Sequence, residues 1–197
     1  MKKQGKFIVL YGINNLGKTT QAKLLVEKLN KENIKAEYLK YPIYDLESSG
    51  KILNNFLRQK NSYDISPKEA QIIYVLNRTQ FEPILKQKLK QGINIIAEDY
   101  IGTGLAWGVG AGVDQKFLEK INSRLLKEDS SILFDGERFN EAVEKNHKHE
   151  TDENLTKKVR LAHLKFGKKY GWKKINANLS IEQIHKILWS IIKKLCK

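Results

Sequence analysis

An octapeptide near the amino terminus, Gly12-Ile13-Asn14-Asn15-Leu16-Gly17-Lys18-Thr19, constrains the fold of this chain more than any other feature. It fits the pattern G-x-x-x-x-G-K-[ST], with Thr20 next. The glycines let the backbone curl until its N–H groups face phosphate oxygens. The flanks agree. Phe7 to Tyr11 is a continuous apolar run, as in a strand buried on both faces. After the motif, Ala22, Leu25, Val26 and Leu29 recur at helical spacing. A strand entering a glycine loop that opens a helix is a phosphate loop, with the helix N-terminus adding positive potential. On this reading Gly12, Asn14, Asn15, Leu16, Gly17, Lys18, Thr19 and Thr20 bind a nucleoside triphosphate, a role that a GTPase or a motor would share. Lys18 reaches the β- and γ-phosphates, and Thr19 ligates Mg²⁺.

Strands and helices then alternate. A second strand lies near Ala36 to Lys40 and ends at Tyr41-Pro42. Ser66-Pro67-Lys68-Glu69 is a helix start with a capping serine, proline at the first position and glutamate three after the cap. Pro83 is expected to bend or restart that helix. Ile93 to Ala97 is the third strand and ends at Glu98. Ile132 to Phe134 is a short fourth, and Trp172 to Ile175 a possible fifth. Ser180 with Gln183 caps the last helix. This alternation predicts an α/β fold: a three-layer P-loop NTPase with a parallel central sheet of about five strands and helices on both faces. Ligands in such folds sit beyond the carboxyl ends of the strands. Glu98 stands at such an end and fits the acidic residue that holds a Mg²⁺-bound water. The 197 residues suit one domain.

The net charge is +14, which raises nucleic acid as a partner. The composition argues against it. Only five arginines occur (Arg58, Arg78, Arg124, Arg138 and Arg160), and arginine is the usual reader of base edges. No apolar run approaches the ~18 residues of a membrane span, and no signal-peptide pattern opens the chain. A single cysteine, Cys196, fits a reducing cytoplasm.

Four further segments resemble the thymidylate kinase family, in order and over roughly residues 5 to 190. Tyr41-Pro42, followed by Gly50-Lys51-Ile52-Leu53, is similar to its aromatic-Pro segment and the helix after it. Tyr74-x-x-Asn77-Arg78 is similar to its base-binding helix, where an aromatic ring stacks on thymine and the arginine four residues on bonds the base edge. That spacing places both on one helix face. Glu98-Asp99-Tyr100-x-x-Thr103-Gly104-Leu105-Ala106-Trp107 is similar to its acid-Arg-Tyr motif and extension. Ile175 to Asn178 with Ile181 to His185 is similar to its last strand and closing helix. The resemblance implies a nucleoside monophosphate kinase that moves the γ-phosphoryl of ATP to dTMP with Mg²⁺, giving dTDP. It implies catalytic roles for Lys18 and Glu98, and substrate contacts from Lys40, Tyr41, Pro42, Tyr74, Arg78, Asp99, Tyr100, Thr103, Gly104 and Trp107. It also implies a mobile lid near 144–154, with Lys145 toward ATP, and a homodimer.

The chain departs from the family pattern in its charges. Asn14 stands where the family usually has a carboxylate, and Asp99 where it has an arginine. No arginine follows Tyr41-Pro42 closely; Ile43 and Tyr44 come next. The lid stretch has none and offers Lys145, His147, Lys148 and His149. Two like charges 4 Å apart repel by about 4 kcal/mol at an effective dielectric near 20, more than one charge-assisted hydrogen bond returns (about 1.5–3 kcal/mol). Asp99 is therefore expected to turn away from any acceptor phosphate, or to have a lysine, Lys40 first, or Mg²⁺ between. The lost arginines leave two other readings open. One is a deoxynucleoside kinase with Glu98 or Asp99 as general base. The other is a nucleotide-binding regulator without turnover.

Overall fold

The computed structural model describes residues 4–59, 61–139 and 152–196. Five strands form one parallel sheet: β1 (Phe7–Tyr11), β2 (Ala36–Lys40), β3 (Asn94–Glu98), β4 (Ser130–Asp135) and β5 (Lys173–Asn176), in the order β2-β3-β1-β4-β5. Seven helices lie among the described residues: α1 (Lys18–Lys31), α2 (Ser49–Arg58), α3 (Pro67–Lys90), α4 (Ile101–Gly110), α5 (Gln115–Asn122), α6 (Glu153–Tyr170) and α7 (Ile181–Cys196). The expected α/β fold, with five parallel strands and helices on both faces, is the one observed.

The central strand shows why. All five residues of β1 are fully buried, and they alternate between two cores. Ile8 and Leu10 pack with Ala22, Leu25 and Leu29 of α1 and with Ile184, Leu188 and Ile192 of α7. Phe7, Val9 and Tyr11 pack with Leu85 and Leu89 of α3. Each fully buried aliphatic or aromatic side chain contributes about 1.5–3 kcal/mol, so the run has no stable alternative on a surface.

The predicted caps form. Ser66 accepts from the Glu69 N–H at 3.2 Å while Glu69 accepts from the Ser66 N–H at 2.8 Å. Ser180 and Gln183 make the same reciprocal pair at α7. Pro83 does not break α3 as expected; one helix runs from Pro67 to Lys90. Proline forfeits one backbone hydrogen bond, and the buried anchors on both sides of it, Ala70 and Tyr74 before, Leu85 and Leu89 after, outweigh that loss. The fifth strand begins one residue later than Trp172 and runs to Asn176. Among the described residues no helix is long and apolar enough to cross a membrane.

One buried group gives the fold a pH dependence. His163 of α6 is 1% exposed. Its Nδ1 lies 3.0 Å from the Val159 carbonyl, so the neutral ring donates there. Burial, aided by the charge of Lys18, pushes its pKa down to about 3. An unfolded histidine takes a proton near pH 6.5. Folding stability contributed by the neutral ring is therefore complete above pH 6.5 and is lost as pH falls toward 3, by about 1.4 kcal/mol per unit. Urea midpoints measured from pH 6.5 to 5 should show His163→Leu losing about 2 kcal/mol less than the unmodified chain. Parallel pH profiles would contradict this.

Candidate active site

The carboxyl ends of β1, β2 and β3 open onto one cavity of about 640 Å³. Every predicted site residue in the described segments lines it except Gly12, which lies behind the loop. Gly12 and Gly17 have φ of +134° and +76°. A Cβ on Gly12 would come 2.5 Å from the Phe134 carbonyl oxygen, so glycine is required there on two counts. Asn15 also takes a positive φ, 62°, which asparagine tolerates. The Phe139 N–H donates to its carbonyl at 2.9 Å, tying the loop to the chain after β4.

Lys18 is 3% exposed. Its ammonium donates to the carbonyls of Gly12 at 2.9 Å and Ile13 at 2.8 Å, across the mouth of its own loop. Glu98 ends β3 and is 5% exposed. Its Oε2 accepts from the Thr19 hydroxyl at 2.6 Å and the Tyr38 hydroxyl at 2.8 Å. Lys40 Nζ stands 3.2 Å from its Oε1. Burial alone would raise the Glu98 pKa. Lys18, Lys40 and the two hydroxyl donors outweigh it, and the carboxyl stays below its ordinary range. It is an anion beside a hydroxyl at the phosphate loop, a hard-oxygen donor pair of the kind Mg²⁺ takes.

Asp99 follows Glu98 and lines the same cavity. Its φ is +63°, and its Oδ1 accepts from the Thr103 hydroxyl at 2.8 Å. The nearest cation is Lys18, 3.7 Å away, and not Lys40, which is paired with Glu98. Burial, with the charge of Glu98, pushes the Asp99 carboxyl up against the pull of Lys18.

The wall of the cavity away from the phosphate loop is built on α3 and α4. Tyr74 and Arg78 face the cavity from α3, and Thr103, Gly104 and Trp107 from α4. Arg78 Nη1 donates to Asn122 Oδ1 at 2.9 Å. Tyr41, ahead of the cis bond to Pro42, packs its ring 5.0 Å from that of Tyr100. The segment after Pro42 is clamped to α3 by Asn77, whose amide exchanges two hydrogen bonds of 2.8 Å with the Ile43 backbone.

Several residues in or beside the cavity escaped the sequence reading. Arg58, at the end of α2, brings a guanidinium to the cavity, 4.9 Å from the Tyr44 ring. It supplies a cation to a cleft that had seemed to lack one after Tyr41-Pro42. Gln71 lines the wall beside Arg78, and Tyr38 supports Glu98. Of these, only Gln71 carried a signal: it stands at i, i+3 and i+7 with Tyr74 and Arg78. Arg160 is tied to Asp135 at 2.7 Å and does not line the cavity. Lys145 and residues 144–151 of the expected lid lie outside the described residues. Its last residues are not loop: Asp152 caps α6, accepting from the Leu155 N–H at 2.9 Å, and Glu153 and Asn154 begin the helix.

Comparison with known proteins agrees with this geometry. The thymidylate kinase family model matches residues 10–188. The human thymidylate kinase is 29% identical over 188 residues, which cover 93% of this chain and 87% of the relative. The thymidylate kinase of Plasmodium falciparum is 29% identical over 209 residues, covering 100% and 92%. A solved thymidylate kinase from Candida albicans superposes with a TM-score of 0.82 over 97% of this chain and 92% of its own, at 22% identity, and shows the same fold. The family match spans most of the sequence and both ends of the cavity, and the chain belongs to the thymidylate kinase family.

Proposed function

We propose that this chain transfers the γ-phosphoryl group of ATP to dTMP, giving dTDP, with Mg²⁺ as the metal. The observation that carries the reading is the single cavity that joins the phosphate loop to the Tyr74–Arg78 face of α3. Two nucleotides entering from its two ends meet with their phosphates over Lys18. No protein nucleophile is needed, because this chemistry is chiefly positioning and electrostatics.

Lys18 leaves the carbonyls of Gly12 and Ile13 and follows the phosphoryl group in transfer. Bound Mg²⁺, held by Thr19 and Glu98, would neutralise charge on the β- and γ-phosphate oxygens. The Asp99 carboxylate, facing Lys18 and Thr103, orients that lysine without meeting the acceptor phosphate. The acceptor phosphate is received by Lys40 and Arg58, which line the cleft together with Arg78. Tyr74 stacks on the base. The stretch 144–151, ahead of α6, carries Lys145 over the donor phosphates as a lid on a single catalytic unit.

The exposed apolar residues Ile72, Leu76 and Ile84 of α3 support the proposed homodimer. The scarcity of arginine supports small nucleotides as partners, and the single cysteine supports the cytoplasm as the location.

Product analysis with ATP and either dTMP or thymidine tests the reading. It expects dTDP from the first and no turnover of the second.

A further inference from the structure

Gln71, Tyr74 and Arg78 share one face of α3, and Gln71 and Arg78 are each only 4% exposed. One edge of the Arg78 guanidinium is anchored: Nη1 donates to Asn122 Oδ1, and Asn122 Nδ2 is held in turn by the Leu118 carbonyl at 2.8 Å. The rest is not. Arg78 Nε has no hydrogen-bond partner, and neither has the buried Gln71 Oε1. Both side chains converge on Gly104 of α4. A methyl group there would lie 2.6 Å from Arg78 Nη2 and 3.2 Å from Gln71 Oε1. The amide presents its oxygen to this point because its nitrogen would oppose the guanidinium donor to donor. A buried acceptor without a partner costs folding free energy, and a folded chain keeps one where something else satisfies it.

We infer that Gln71 is a specificity-determining residue that reads the acceptor base together with Arg78: its Oε1 accepts the ring N3–H while Arg78 donates to the adjacent ring carbonyl. This rests on the proposed function and extends it to the choice of base. A thymine or uracil edge offers that donor beside that acceptor. Cytosine offers a bare N3 and an exocyclic amine. A flipped Gln71 amide serves the bare N3, but the amine then faces a guanidinium that has no acceptor. Guanine carries the same donor–carbonyl pair on a larger ring. The pair therefore selects the hydrogen-bond pattern, and the space around it the ring size.

The test is Gln71→Leu, which removes the acceptor at nearly constant volume. Calorimetric binding and steady-state kinetics are measured with dTMP, dCMP and N3-methyl-dTMP. The Kd and KM for dTMP should rise at least tenfold, with kcat within threefold and the KM for ATP unchanged. The preference for dTMP over dCMP should fall at least tenfold. The unmodified chain should reject the N3-methyl analogue at least tenfold, and the variant less than threefold. The Tm of the ligand-free variant should not fall, since it loses an orphan acceptor. Should Gln71→Leu fail to fold, Gln71→Asn, which withdraws the amide by one methylene, should show the same losses. Substitution that leaves dTMP affinity and selectivity within threefold would overturn the inference alone. An unmodified chain that does not bind dTMP would overturn it together with the proposed function.

Discussion

Lys18→Ala is expected to reduce phosphoryl transfer by at least about 10²–10³-fold while the chain stays folded. The magnitude follows from what the side chain does. It is the one lysine at the phosphate loop that is buried, and its charge serves atoms whose own charge develops during transfer. The fold survives because position 18 opens α1, where alanine is the most favourable helical residue. The loss should fall on kcat, measured with saturating ATP and dTMP alongside a thermal melt. The substitution also removes the nearest counter-charge to Asp99, so Glu98 and Asp99 are left as adjacent carboxyls. Activity within tenfold of the unmodified chain would contradict the assignment of the loop.

Arg78→Ala should act on KM. The guanidinium lies across from Gly104 at the acceptor end, far from the transferring atoms, so its contacts are made equally in the ground and transition states. A charge-assisted hydrogen bond to the base is worth about 1.5–3 kcal/mol, or ~10- to 150-fold in kcat/KM. Arg78→Lys should recover only part of this. A lysine lacks the planar fork that holds Asn122 with one nitrogen and leaves the others for the base. A KM for dTMP within threefold of the unmodified value in both variants would contradict base recognition by α3.

Much of this arrangement was legible before any coordinates. The strand–loop–helix at residues 7–29 has one structural solution, because a fully apolar pentad, a glycine loop and an amphipathic helix agree. The Tyr74–Arg78 spacing places both on one face of any helix. The repulsion argument for Asp99 needed only charge and distance, and it expected the carboxylate to turn away from an acceptor phosphate or to have Lys40 or Mg²⁺ between; the cation beside Asp99 is Lys18, 3.7 Å away, and Lys40 is paired with Glu98. The residues that escaped share a physical cause. Periodicity identifies the apolar side of a helix, and it reads polar residues such as Gln71 and Arg58 as solvated. Their burial depends on what α4 and the chain after β2 place opposite them, which is tertiary information. Tyr38 looks like any strand aromatic until β2 pairs with β3 and its hydroxyl meets Glu98. Pro83 misled for the opposite reason: a local rule was outweighed by anchors on both sides.

The central claim is that one cavity brings ATP and a deoxynucleoside monophosphate together, phosphate to phosphate, over Lys18. The most direct measurement is transfer of label from γ-³²P-ATP with Mg²⁺ to dTMP or to thymidine, with products separated by chromatography. The account predicts label in dTDP from dTMP, and none in dTMP when thymidine is the acceptor. Labelled dTMP formed from thymidine, with no dTDP formed from dTMP, would contradict it.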